Sequence, residues 1–234
     1  MTALYQNTYT RMVTALICLP TALILIGIPS HLLHAASCIS KTDVFSVTSN
    51  GQWRYSSSGL ATYQNLNAEP GKTVNALAFG DFDGDGKTDV FSVTSNGQWR
   101  YSSGGLATYQ NLNAELGKTV NDLAFGDFDG DGKTDVFSVT SNGQWRYSSG
   151  GLATYQNLSA EPGKTVNDLA FGDFDGDGKT DVFSVTSSGQ WRYSSGGLVA
   201  YQNLNAEPGK TVNDLAFGDF DGLSCVVYAP LISR

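Results

Sequence analysis

An all-β fold of short antiparallel strands is predicted by three observations. A 46-residue unit beginning KTDVFSVTS recurs from Lys41, Lys87, Lys133 and Lys179 with few changes. Each unit holds four strand-like stretches separated by turn residues. Glycine is abundant at 27 residues, charged residues make up only 15%, and no helix-forming residue type dominates.

The strands follow in order within the unit that begins ahead of Lys87. The first is expected at 77–79, before an acidic loop, and the second at 90–94. Asn96-Gly97 then marks a hairpin, as a pair able to take positive φ at both turn positions. The third strand is expected at 98–101. Ser102-Ser103-Gly104-Gly105 turns the chain into a fourth at 106–112, where Leu, Thr, Gln and Leu alternate with Ala, Tyr and Asn. One such unit cannot bury its own apolar face, so neighbouring units must stack. Four antiparallel strands in 46 residues match the blade of a β-propeller. A β-solenoid is the alternative, with rungs that are usually shorter and free of hairpins.

The strand count predicts about four blades. Units 76–121, 122–167 and 168–213 are complete. Residues 43–66 supply strands two to four of another blade and residues 214–220 supply a first strand, so both ends together make one composite blade. Sharing a blade removes the free edges of the ring. At that seam Cys38 and Cys225 fall within a few residues of each other after a shift of four periods, which predicts a disulfide in an oxidising compartment. Two other readings stay open: a lipidated Cys38, or a chain that is one piece of a longer repeat protein, since the repeat breaks off after Gly222 into a divergent tail, 223–234.

Residues 1–37 read as a signal peptide. Arg11 precedes an uncharged stretch from Met12 to Ile28, and small residues follow at Ala35, Ala36 and Ser37. An uncleaved membrane anchor is the alternative. Export to the cell surface or medium is the expectation, with membrane contact only if the leader stays or Cys38 carries lipid. The net charge is −8, or −9 without Arg11. A nucleic-acid partner is disfavoured, because phosphates would be repelled.

The acidic loop carries the chemistry. Asp81, Asp83, Asp85 and Asp89 stand at positions 1, 3, 5 and 9, with Gly86 at the sharp turn and the Lys87 carbonyl as a further donor. The pattern repeats at Asp127, Asp129, Asp131, Lys133 and Asp135, and at Asp173, Asp175, Asp177, Lys179 and Asp181. This hard oxygen set suits Ca2+ rather than Zn2+. It is not an EF-hand, because position 12 is a serine (Ser92, Ser138 or Ser184). A solvated Asp/Gly turn is the plain alternative, but four uncompensated carboxylates in nine residues would repel one another. The fourth copy keeps Asp219 and Asp221 and has Leu223 in place of the third Asp, so about three Ca2+ ions are expected.

The stretch from Phe79 to Asp89, FGDFDGDGKTD, resembles the FG-GAP or VCBS repeat of integrin α-like propellers. With Gly97-Gln98-Trp99-Arg100-Tyr101-Ser102 it also resembles secreted bacterial and fungal propellers, including fungal lectins. The resemblance spans roughly residues 41–222. It implies a propeller with Ca2+ between the first two strands of each blade, and adhesion or glycan binding. Such propellers commonly carry seven blades, and this chain supplies about four.

A binding role is expected rather than catalysis. The only histidines, His31 and His34, lie in or beside the leader, and a site copied in every unit suits multivalent binding. The four tryptophans are expected in the core. Arg54, Arg100, Arg146 and Arg192, with Tyr55, Tyr101, Tyr147 and Tyr193, are the candidate ligand-binding side chains. The partners expected are glycans, or else cell-surface or extracellular proteins on an adhesion surface.

Overall fold

The computed structural model describes residues 42–218. The leader, Cys38, Cys225, Asp219, Asp221 and the tail lie outside the described residues. Four antiparallel sheets follow one another along the chain. The first holds β1 (Val44–Val47), β2 (Trp53–Ser56) and β3 (Gln64–Asn65). The second holds β4 (Leu77–Gly80), β5 (Asp89–Val93), β6 (Trp99–Ser102) and β7 (Gln110–Asn111). The third comprises β8 (Leu123–Gly126), β9 (Asp135–Val139), β10 (Trp145–Ser148) and β11 (Gln156–Asn157). The fourth comprises β12 (Leu169–Gly172), β13 (Asp181–Val185), β14 (Trp191–Ser194) and β15 (Gln202–Asn203). Strand order in every sheet is sequential, as in the blades of a propeller.

Two local details differ from the sequence expectation. The Asn96-Gly97 hairpin has positive φ only at Gly97, at 83°. The Gly97 amide donates to the Thr94 carbonyl and the Thr94 amide to the Gln98 carbonyl, which makes a three-residue loop closed by a glycine bulge. The Thr94 hydroxyl holds this loop by accepting from the Gln98 amide at 2.9 Å. The fourth strand is only Gln110–Asn111, because the preceding turn runs on further than its glycines suggest. Ser103–Gly105 form a 3-10 turn, and the Leu106 and Ala107 amides both still donate to the Ser103 carbonyl. Leu106 therefore stays exposed outside the sheet.

The core lies between successive sheets. Val90 in β5 joins Trp53, Leu66 and Leu77, while Val136 in β9 joins the cluster of Phe82, Phe91 and Trp99. Each first strand also sends a phenylalanine back over the preceding sheet: Phe125 meets Phe91 at 5.0 Å and Phe171 meets Phe137 at 5.0 Å. These edge-to-face pairs and the repeated period make each sheet-to-sheet step a copy of the last. Trp53, Trp99 and Trp145 are fully buried, as expected.

The composite blade is not assembled among the described residues. The first sheet has three strands, and residues 215–218 pair with none of them. Phe217 instead packs on Phe174 and Phe183 of the fourth sheet, at 5.6 and 5.0 Å. The sheets therefore form a series of blades that is not closed.

Candidate metal centre

Each complete acidic loop joins the first two strands of its sheet, and the first two loops begin at a forced glycine. A Cβ on Gly80 would lie 2.6 Å from the Thr134 side chain, because the next loop presses against this one. Thr134 clamps the start of the loop: its amide donates to the Asp81 carbonyl at 2.6 Å and its hydroxyl accepts from the Asp81 amide at 2.9 Å. Thr180 does the same to Asp127. Nothing in the sequence motif marks this contact, since it joins residues 53 positions apart.

Inside the loop the carboxylates organise the backbone. One Asp81 oxygen accepts from the Gly84 and Asp85 amides at 2.7 and 3.1 Å, and the other from the Gly86 amide at 2.8 Å. Gly84 and Gly86, with φ of 81° and 80°, allow the curl. Asp83 accepts from the Asp85 amide and Asp85 from the Lys87 amide. The other two complete loops repeat these bonds.

Asp89, Asp135 and Asp181 differ from the rest, being fully buried at the start of the second strand. Asp135 accepts from the Phe128 amide at 2.8 Å and from the Gly150 amide at 2.9 Å. It therefore ties the acidic loop to the turn between the third and fourth strands. Burial pushes its carboxyl up to about 7 against these two amides, and the nearby Asp129 and Asp127 charges add to the rise. Burial likewise pushes Asp89 and Asp181 up to about 6.

Three clusters of carboxylates result. Their oxygens lie within 4.8 Å of one another in Asp81, Asp83 and Asp85, in Asp127, Asp129 and Asp135, and in Asp173, Asp175 and Asp181. Oxygens bound to one Ca2+ at about 2.3–2.6 Å can be at most about 5 Å apart, so the donor set fits that ion in type and spacing. Positions 1 and 3 take part in all three clusters. The third member is position 5 in the first loop and position 9 in the other two. In the first loop the Lys87 ammonium sits 2.8 Å from Asp85 and holds that carboxyl below its usual range. Lys133 and Lys179 lay their stems over the preceding loops instead, where a Cβ on Gly84 or Gly130 would meet them at 3.2 Å.

The arginine and tyrosine candidates are placed otherwise than expected. Tyr101, Tyr147 and Tyr193 are buried, their rings against Phe82, Phe128 and Phe174 at 5.6–5.8 Å. The Tyr101 hydroxyl donates to Gln110 at 2.7 Å, and that of Tyr55 to Gln64 at 3.2 Å. Arg100, Arg146 and Arg192 span the seams between sheets. Each lies 2.9–3.0 Å from a glutamate of the preceding unit, Glu69, Glu115 or Glu161. Each also stacks over Tyr109, Tyr155 or Tyr201 at 4.1 Å. Arg54 stacks over Tyr63 at 4.2 Å. Alternation along the third strand correctly puts Arg100 opposite Trp99 and Tyr101. It gives no sign that the facing sheet supplies a carboxylate there.

The family model described as FG-GAP-like repeat matches residues 81–138 and 127–184, each match running from one acidic loop through the next. No curated protein matches the chain. Among the described residues no helix is long and apolar enough to cross a membrane. The blade order, the three aspartate clusters and the two matches agree: residues 81–184 of the chain are FG-GAP-like repeats.

Proposed function

We propose that this protein is an extracellular, Ca2+-stabilised adhesion scaffold that binds partners through its blade surfaces and catalyses no reaction. The observation that carries this reading is the recurrence of one carboxylate cluster in three successive loops, each holding more negative charge than the amides and Lys87 offset. Ca2+ supplies the missing positive charge and a point to which the first strand, the second strand and the following turn are all tied. The chain's own residues supply the frame: Thr134 and Thr180 fix the first two loops to the loop that follows, and the buried aspartates fix each loop to its own sheet.

Titration calorimetry and thermal unfolding with and without chelator test this reading. About three equivalents of calcium are expected to bind. Stability should rise by about 2.7 kcal/mol per site at a hundredfold excess over Kd. An unchanged melting temperature in chelator would remove the structural role of the ion.

Glycans and proteins are the two partner classes. Six of the eight side chains expected to meet a sugar are held in the core and in the seams, Arg54 and Tyr55 being the exceptions, which weakens the glycan reading. Leu106, Leu152 and Leu198 are about half exposed and Leu60 almost wholly so, one on each sheet at the same turn. This periodic apolar row favours a protein surface as the partner. Cell or protein binding that free sugars do not compete would support it, and a positive glycan array would reverse the order.

A further inference from the structure

The contact between successive sheets is one interface used three times, and among the described residues both of its halves recur unmated at the two ends of the series. The tail face belongs to the fourth sheet. Glu207 there is exposed and, among the described residues, reaches only its own Lys210 at 4.0 Å, whereas Glu69, Glu115 and Glu161 are held by arginines of the next sheet. Trp191 and Leu204 are only half-buried, although their counterparts in the earlier sheets are buried. In the third sheet the core cluster is completed by Val182 and Tyr201 from the sheet that follows. The matching cluster around Phe183 receives no such pair among the described residues.

The head face offers what the tail face lacks. Val44, one period before Val90, is 47% exposed, whereas Val90 is 2% exposed. Tyr63, the counterpart of Tyr201, is 48% exposed. Arg54 stacks on Tyr63 and meets no carboxylate among the described residues. No hydrogen bond, ion pair or shared core cluster joins the two faces within one chain among the described residues.

We propose that the head face of one copy of this chain docks on the tail face of a second copy, continuing the internal sheet-to-sheet step into a head-to-tail assembly. The internal interfaces dictate its contacts. Arg54 pairs with Glu207, as Arg192 does with Glu161. Val44 covers Leu204, as Val182 meets Leu158. The Asn205 amide donates to the Gly59 carbonyl, as the Ser159 amide does to Gly197 at 2.8 Å. The Tyr63 hydroxyl donates to the Asn205 carbonyl, as that of Tyr201 does to Ser159. The two faces are complementary in charge as well as shape. A heterologous step of this kind closes into a ring or runs on as a filament, according to its rotation.

Native mass spectrometry and sedimentation of the full chain over a concentration series, in calcium, test the proposal. The wild-type chain should assemble as concentration rises. Arg54→Glu alone and Glu207→Arg alone each place like charges at the junction, and each should raise the midpoint concentration about tenfold or more. Mixing the two single variants should restore assembly as alternating hetero-oligomers, because each then meets an opposite charge at both junctions. Closure within one chain cannot produce that rescue. Neither residue lies in the buried core, so unchanged circular dichroism will show that both variants fold. A wild-type chain that stays monomeric throughout, or single variants that assemble normally, or a mixture that fails to rescue, overturns the proposal.

Discussion

The acidic loops and the inter-sheet seams both concentrate charge, and they settle it in opposite ways. At a seam the chain brings its own cation: Glu115 meets Arg146 at 2.9 Å, and also accepts from Ser138 at 2.8 Å. Both donors converge on one oxygen of the glutamate. In the second acidic loop Asp127, Asp129 and Asp135 converge with only backbone amides to face them, and burial pushes Asp135 up to about 7. A carboxylate paired by its own chain is there to hold sheets together. Carboxylates crowded without a partner cation point to one that comes from solution.

The sharpest way to break this comparison is to remove Asp135. Asp135→Ala leaves the Phe128 and Gly150 amides without an acceptor and takes a ligand from the cluster. It is expected to cost about 3 kcal/mol in calcium by urea unfolding. In chelator the loss should shrink, since an uncompensated buried carboxylate already costs stability there. An equal loss in both buffers would mean that Asp135 serves only the two amides.

The same carboxylates set the pH dependence of the metal-free chain. Their folded values of about 6, 7 and 6 at Asp89, Asp135 and Asp181 lie above the ordinary 3.8. Between about pH 4 and 7 the folded chain therefore holds protons that the unfolded chain has released. Stability in chelator should fall as pH rises through that window. The proposed calcium would bind the deprotonated form and should flatten or reverse the slope. A metal-free chain that gains stability from pH 4 to 7 would contradict the burial of these groups.

The seam should respond differently. Glu115→Ala leaves the Arg146 side chain, only 25% exposed, without its carboxylate, and Ser138 without its acceptor. The expected loss is about 1–2 kcal/mol, smaller than at Asp135 and the same in calcium as in chelator. A calcium-dependent loss would show that seam and loop are coupled rather than separate.

How much of this was readable in the sequence follows from chain distance. The acidic loop was legible because its donors lie within nine residues and a glycine marks the curl. The strand order was legible because the unit repeats and its turns carry Gly and Asn. The seam was not. Glu69 and Arg100 are 31 residues apart and meet across two sheets, and no local pattern announces such a pair. The Thr134 clamp on Asp81 is hidden for the same reason. The fourth strand was overread at 106–112 because alternation of apolar residues also describes a chain still leaving a turn. Leu106 is apolar, yet the amides after Gly105 remain committed to the Ser103 carbonyl.

The smallest expected effect tests where the aromatic side chains belong. Third-strand tyrosines look like ligand groups when read from composition, and the structure sets Tyr101 against Phe82 at 5.6 Å with its hydroxyl donating to Gln110 at 2.7 Å. Tyr101→Phe keeps the ring packing and removes only that bond, leaving Gln110, an exposed residue of β7, free to bond to water instead. The expected loss is therefore at most about 1 kcal/mol, seen as a small drop in the unfolding midpoint. Calcium uptake and partner binding should not change, because the Tyr101 side chain is buried. A variant of normal stability that loses binding would place Tyr101 in a ligand site and move it from the structural side of the comparison to the functional one.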